Sequence, residues 1–240
     1  MKRTLAFSSV ALCLALGCHS SQPKPTHTIA LLDISGSIYP EEVDREFSEM
    51  QKLAYNMHRG DELTLIPITG NAHNDTPGHI LRLLAPQSRA PFDSDLVAFQ
   101  KDAYAAIARM KDWAKRNPAS HTDILGTLEI SGQQIDQMKS AYTKLVVMSD
   151  FLEDDGQINF TRDRALTSVV AARASADDLA KHRVHPFRTD GVSLERLRSR
   201  DRAALSNMRL EAVDAFWEEF LGKSEADVGN PKDGEAPSST

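Results

Sequence analysis

Apolar runs that alternate with amphipathic segments predict an α/β domain, built as a doubly wound, mostly parallel sheet with helices on both faces. Three features carry that expectation. Two runs, "THTIALLD" and "KLVVMSD", each end in an aspartate and have the composition of central parallel strands. Segments of helical periodicity lie between and after them. The 240-residue chain is also long enough to enclose a sizeable core.

The first strand, ending at Asp33, is followed by Val43, Phe47, Met50, Ala54 and Met57, one stripe of a helix. Pro40 suits the first turn of that helix, and Gly60 suits its end. "ELTLIPIT" reads as a second strand, and "HILRLLAP", bracketed by prolines further out, as an edge strand. Leu96, Phe99, Ala103, Ile107 and Met110 mark a long helix that Pro118 stops at Asn117. "TDILGTLEISGQQIDQM" is helical after Thr122, and the strand ending at Asp150 follows. A helix over about 162–181, a strand "RVHPFR" and helices from Leu194 through Leu221 complete the domain. There is no internal repeat.

The two ends of the chain read differently. "MKRTLAFSSVALCLALGC" has a basic start, an apolar stretch and small residues before a cysteine, which is the form of a secretory signal, too short for a membrane span. Residues 1–17 are therefore expected to be a signal peptide. "LALGC" resembles a bacterial lipobox, which implies acylation of Cys18. Cys13 lies inside the signal, so Cys18 would be the one cysteine of the mature chain, and lipidation gives that lone thiol a role. Several acyl chains make such an anchor stable. Residues 18–26 then form a polar tether, 27–221 the domain, and 222–240 a tail too polar to bury. His19 after the cysteine is not the aspartate that retains such proteins at the inner membrane. The expected location is the bacterial cell envelope, with the outer membrane favoured over the inner.

Composition narrows the function classes. With 41% hydrophobic and 26% charged residues the chain is ordinary for a globular protein. Its net charge of −6 offers no footprint for nucleic acid. In parallel sheets, ligands bind beyond the carboxyl ends of the strands, where Asp33 and Asp150 would meet. Asp33, Ser35 and Ser37 alternate, so an extended loop can project all three to one side. Carboxylates with serine hydroxyls suit a hard cation such as magnesium, and no cysteine is at hand for a softer metal. Alone, however, two serines between a strand and a helix also make good turn and cap formers.

"DISGS" (Asp33, Ser35, Ser37) resembles the Asp-x-Ser-x-Ser signature of von Willebrand factor type A domains. "HTDILGTLE" resembles that family's threonine loop, with Thr122 in the metal-facing position, and "LVVMSDFLED" its final strand and loop, with Asp150. The resemblance spans about 27–187. It implies a metal-ion-dependent adhesion site of Asp33, Ser35, Ser37, Thr122 and Asp150 that holds Mg, with Mn or Ca as alternatives. In that family the metal captures an acidic side chain of a protein partner, and the loops around it, here above all 70–90, set specificity. Two departures stand out. The threonine loop begins "PASHTD" without glycines, and Phe151 replaces the common glycine after Asp150.

Other readings stand beside this one. A metal-free envelope scaffold would keep the same residues for hydrogen bonding. A magnesium-dependent hydrolase of the haloacid-dehalogenase kind would need an aspartate where Ser35 stands, and no phosphate-cradling glycine loop is present. No serine, cysteine and histidine arrangement suggests nucleophilic catalysis, so the chain is expected not to be an enzyme. "EDD", 153–155, reads as a solvated acidic turn or an accessory cation site. His182 and His185, three apart on a strand, would point to opposite faces. Trp217 reads as a core anchor, and His73 and His79 as loop surface.

Overall fold

The computed structural model of the chain describes residues 24–88, 93–136, 142–183 and 191–223. The signal, tether residues 18–23 with Cys18, and tail residues 224–240 lie outside them. Five strands form one sheet in the order β3-β2-β1-β4-β5. They are β1 (Thr26–Asp33), β2 (Glu62–Ile68), β3 (Leu81–Leu84), β4 (Tyr142–Ser149) and β5 (Val192–Arg196). Only β3 is antiparallel, pairing Leu65 with Leu81 at the sheet edge. In the parallel centre, Leu31 lies opposite Ile66 on one side and Val147 on the other.

The strands of the sheet centre alternate between two cores, as parallel strands covered on both faces must. Ala30, Leu32, Leu63, Leu65, Val146 and Met148 point to one face, where Phe47 and Met50 of α1 (Pro40–Tyr55) and Ile107 of α3 (Ser94–Arg116) cover them. Ile29, Leu31, Ile66, Ile68, Leu145 and Val147 point to the other. There they meet α4 (Ile124–Asp136), α5 (Val169–Arg183) and α7 (Asn207–Lys223), whose Phe216, Trp217 and Phe220 pack with Phe160 into an aromatic cluster. Two four-residue helices, α2 (Ala72–Asp75) and α6 (Arg200–Ala203), lie in the connections. Trp217 is thus a core anchor, 3% exposed.

Three elements depart from the sequence reading. Val192–Arg196 is a strand, although helix was expected from Leu194. Leu194 and Leu197 have helical spacing, but pairing of Leu194 with Val147 on β4 overrides it. The expected strand over 183–188 begins at the last residue of α5, and 184–190 lie outside the described residues. α5 itself begins at Val169 rather than near Arg162. The Asn159 side chain accepts from the backbone N–H groups of Thr161 and Arg162 and turns the chain there, and the Ser168 hydroxyl accepts from Ala171 N–H to start the helix.

Neighbours of β1 run in opposite directions through the sequence, β2 on one side and β4 on the other. That makes the β1–β4 boundary the switch point, and its carboxyl end is where the crevice opens. Among the described residues, no helix is long and apolar enough to cross a membrane.

Candidate functional site

At this switch point Asp33 ends β1 and Asp150 follows β4, and both side chains are buried, 0% and 1% exposed. Asp33 is held at both oxygens. Its Oδ1 accepts from Ser35 N–H at 2.9 Å, and its Oδ2 accepts from the Ser149 hydroxyl at 2.5 Å. Asp150 Oδ1 accepts from Leu152 N–H at 2.9 Å, while Oδ2 is buried with no partner at hydrogen-bonding geometry among the described residues, the Ser199 hydroxyl being the side chain that faces the carboxylate.

A cavity of about 340 Å³ has Ser35, Ser37 and Thr122 among its lining residues. The hydroxyls of Ser35 and Ser37 are 3.2 Å apart. Neither serine caps α1. That helix starts at Pro40 after Tyr39, with no side-chain cap, so the role of simple helix-capping residues is excluded for both. Asp33 and Asp150 are buried and are not among the residues that line the cavity.

Backbone pairing fixes these loops relative to one another. Ile34 and Gly36 exchange bonds with Ala119, so the serine loop leans on the loop before α4. Thr122 and Asp154 exchange both backbone bonds, at 2.9 and 2.8 Å, and Asp123 N–H donates to Thr69 O beyond β2. Arg200 N–H donates to Ser37 O, bringing in the segment after β5. The threonine loop therefore holds its place without the glycines the family often uses.

Phe151 adopts the left-handed conformation, φ 61°, that a glycine takes without strain. Its ring is buried edge-on to Trp217 at 6.0 Å, its N–H donates to Ser149 Oγ, and its carbonyl accepts from Trp217 Nε1 at 2.8 Å. Ring burial and these bonds offset the backbone strain.

Crowding of buried carboxylates dominates the electrostatics. Burial raises Asp33 above the ordinary aspartate range, against the hydrogen bonds from Ser149 and Ser35. Burial, then the charge of Asp33, pushes Asp150 up to about 7. Glu46 of α1, 1% exposed, is raised well above the glutamate range by burial and then by Asp33. Such a group of acids in low dielectric resists full ionisation without a compensating cation.

Two residues of this site escaped the sequence reading, and a third residue near it is placed differently from the turn it was read into. Ser149 bridges Asp33 and Phe151, and the lone hydroxyl closing the apolar run "KLVVMSD" was a usable signal. Arg202 donates to the Asp150 carbonyl at 2.8 Å and to Asp214 of α7 at 2.9 Å, 52 positions from Asp150 and with no local signature. Glu153, read as part of a solvated acidic turn or an accessory cation site, is fully buried and accepts from Ile124 and Leu125 N–H at the start of α4. His73 and His79 are exposed as expected, and His79 stacks on Trp113 with ring centroids 3.9 Å apart.

No protein-family model matches the sequence, and no curated protein matches it. Solved structures do match. The PilB minor pilin from Streptococcus sanguinis superposes with a TM-score of 0.54 at 10% identity, over 89% of this chain and 58% of that one. The pilus adhesin SpaC from Lactobacillus rhamnosus GG, in an open conformation, gives 0.50 at 11% identity, over 89% of this chain and 28% of that one. The conserved hypothetical protein BatB from Bacteroides thetaiotaomicron gives 0.45 at 13%, over 88% and 91%. With its mostly parallel five-stranded sheet covered on both faces, the chain has a von Willebrand factor type A fold.

Proposed function

We propose that this protein is an adhesion or interaction module that binds a divalent cation, magnesium foremost, through Asp33, Ser35, Ser37, Thr122 and Asp150, and through it an acidic side chain of a partner protein. The observation that carries the reading is the buried Asp150 Oδ2 without a hydrogen-bond partner among the described residues, its carboxylate within reach of the Asp33 charge, together with three hydroxyl-bearing residues that line one cavity. The donor set consists of hard oxygens. The 3.2 Å between the serine hydroxyls is close to the roughly 2.9 Å between adjacent ligands of an octahedral magnesium shell. Ser35, Ser37 and Thr122 would hold the ion, with Asp33 and Asp150 balancing its charge directly or through water. Bound there, the ion supplies an electrophilic position for a carboxylate; the chain's own residues orient it and keep bulk water from Asp33 and Asp150.

A second cavity of about 720 Å³ shares Ala119, Ser120 and His121 with the first and runs to Asn74, His79 and Trp113. This supports a partner footprint that continues from the cation edge over residues 69–79. In this reading the mature protein is held in the bacterial envelope by lipid on Cys18, at the outer rather than the inner membrane. Minor-pilin and adhesin roles of PilB and SpaC agree with an interaction role.

Thermal unfolding in EDTA, and with millimolar magnesium or manganese, tests the proposal. A ligand at a hundred times its dissociation constant adds about 2.7 kcal/mol to native stability. A cation-dependent rise in melting temperature, lost in Asp33→Ala, supports the reading. An unchanged melting temperature in the folded wild type favours a metal-free scaffold, for which the Ser149–Asp33 hydrogen bond already provides a closed arrangement.

A further inference from the structure

We propose that Asp123, Glu153 and Asp155 form a second cation site, suited to calcium and separate from the Asp33–Asp150 pair. Each of the three offers a carboxylate oxygen, and these oxygens all lie within 4.8 Å of one another. Ligands at 2.3–2.6 Å from one calcium ion are at most about 5 Å apart, so a single ion can touch all three.

An acidic cluster gathered at a helix start needs no ion if the helix satisfies it, and here the helix does so only in part. Glu153 Oε2 accepts from Ile124 and Leu125 N–H, at 3.0 and 3.1 Å, in the first turn of α4. Its Oε1 is buried and has no hydrogen-bond partner among the described residues, in a side chain that is 0% exposed. A buried carboxylate oxygen without a donor is costly, and either a proton on Glu153, whose ionised form burial and then the Asp123 charge disfavour, or a cation facing Oε1 relieves it.

The other two carboxylates are already oriented. Asp123 accepts from Gly126 N–H at 2.7 Å and from Ala72 N–H at 2.9 Å, and Asp155 Oδ1 accepts from Gln157 and Ile158 N–H. Backbone donors of this kind aim a carboxylate and leave lone pairs for a metal. The fit extends to residue 126, where a Cβ would lie 2.5 Å from Asp123 Oδ2, so glycine leaves the carboxylate its place.

A polar cavity of about 380 Å³ opens beside the cluster, lined by Asn71, Asp123, Glu129, Asp155 and Gln157. Its amide and carboxylate oxygens can enlarge a shell begun by the three acids. Calcium takes six to eight oxygens in flexible geometry, whereas magnesium demands a near-ideal octahedron, and ligands drawn from separate loops match the former. Asp123 adjoins Thr122, and the Glu153 loop continues from Asp150. An ion here would fix the separation of the two loops that bound the first site.

The test counts metal. The full chain is stripped with chelator, dialysed against calcium and assayed for bound metal per chain, with calorimetry in parallel. Asp33→Ala, and Ser35→Ala as a second background, disable the first site without touching the second. Either background is expected to retain one calcium per chain, and adding Asp155→Asn or Glu153→Gln is expected to abolish it, with near-ultraviolet circular dichroism confirming the fold. Both backgrounds folded yet free of calcium, or calcium retained after Asp155→Asn and Glu153→Gln, overturns the proposal. Because the count is made with the first site disabled, its result is independent of whether that site binds magnesium.

Discussion

The Ser149 hydroxyl donates to Asp33 Oδ2 at 2.5 Å, and Ser149 Oγ in turn accepts the backbone N–H of Phe151 at 3.0 Å. One side chain at the end of β4 thus sets both the rotamer of the aspartate ending β1 and the path of the chain after Asp150. Replacing it removes a bond to a buried carboxylate and strands a buried N–H. Ser149→Ala is expected to cost about 2–3 kcal/mol in denaturant unfolding and to weaken cation stabilisation along with it.

Acidity offers a second prediction, and its sign follows from the raised carboxylates. Asp150 titrates at about 7 in the folded chain, above its value in the unfolded one, and Asp33 shifts in the same direction. Between the two values the folded chain keeps a proton that the unfolded chain has released. In chelator, therefore, stability should fall as pH rises from about 4 to 7, by an amount on the order of a few kcal/mol. A bound cation favours the ionised carboxylates, so the magnesium-induced rise in melting temperature should be larger at pH 8 than at pH 5.5. Equal shifts at the two values would argue against Asp33 and Asp150 as the groups concerned.

Phe151 makes a third prediction through its φ of 61°. Losing its buried ring should cost about 3–5 kcal/mol in Phe151→Ala. Phe151→Gly loses the same ring but relieves the left-handed strain, about 1–2 kcal/mol. Glycine should therefore be the milder substitution, the reverse of the order found in helices and strands. Comparing the two melting curves checks this.

Arg202 makes a fourth. Its guanidinium joins the Asp150 carbonyl to Asp214, and its side chain is only 11% exposed. Arg202→Met keeps much of the apolar stem and removes both links, and should cost about 1.5–3 kcal/mol. Asp214→Asn keeps the link to the Asp150 carbonyl and weakens the charge pairing with Arg202 and Arg196, and should cost less. Denaturant midpoints of the two variants give the comparison.

Strand ends were the most legible part of this chain. Asp33 and Asp150 close apolar runs, and parallel strands so composed must lie at the sheet centre, so their carboxyl ends had to converge. Thr122 was legible through its family-like loop, and Ser35 and Ser37 through their alternation. Less local relationships were hidden. Leu194 belongs to a strand only because β4 is there to pair with it, and Arg202 reaches Asp150 across the turn after β5. Glu153 looked solvated because it sits among Asp154, Asp155 and Gly156. Only its bonds to the start of α4 reveal a buried side chain. Phe151 stood out as a departure from the family's glycine; its partner Trp217, 66 residues on, explains how it is accommodated.

α7 grips two successive carbonyls of the site: Trp217 Nε1 holds that of Phe151, and Asp214, through Arg202, holds that of Asp150. Mechanically this is a two-point linkage. A load applied along the last helix would reach the loop after β4 through those bonds, without first having to part the strands of the sheet. A partner pulling at the cation edge and tension on the carboxyl-terminal end of the chain would thus act on the same pair of peptide groups.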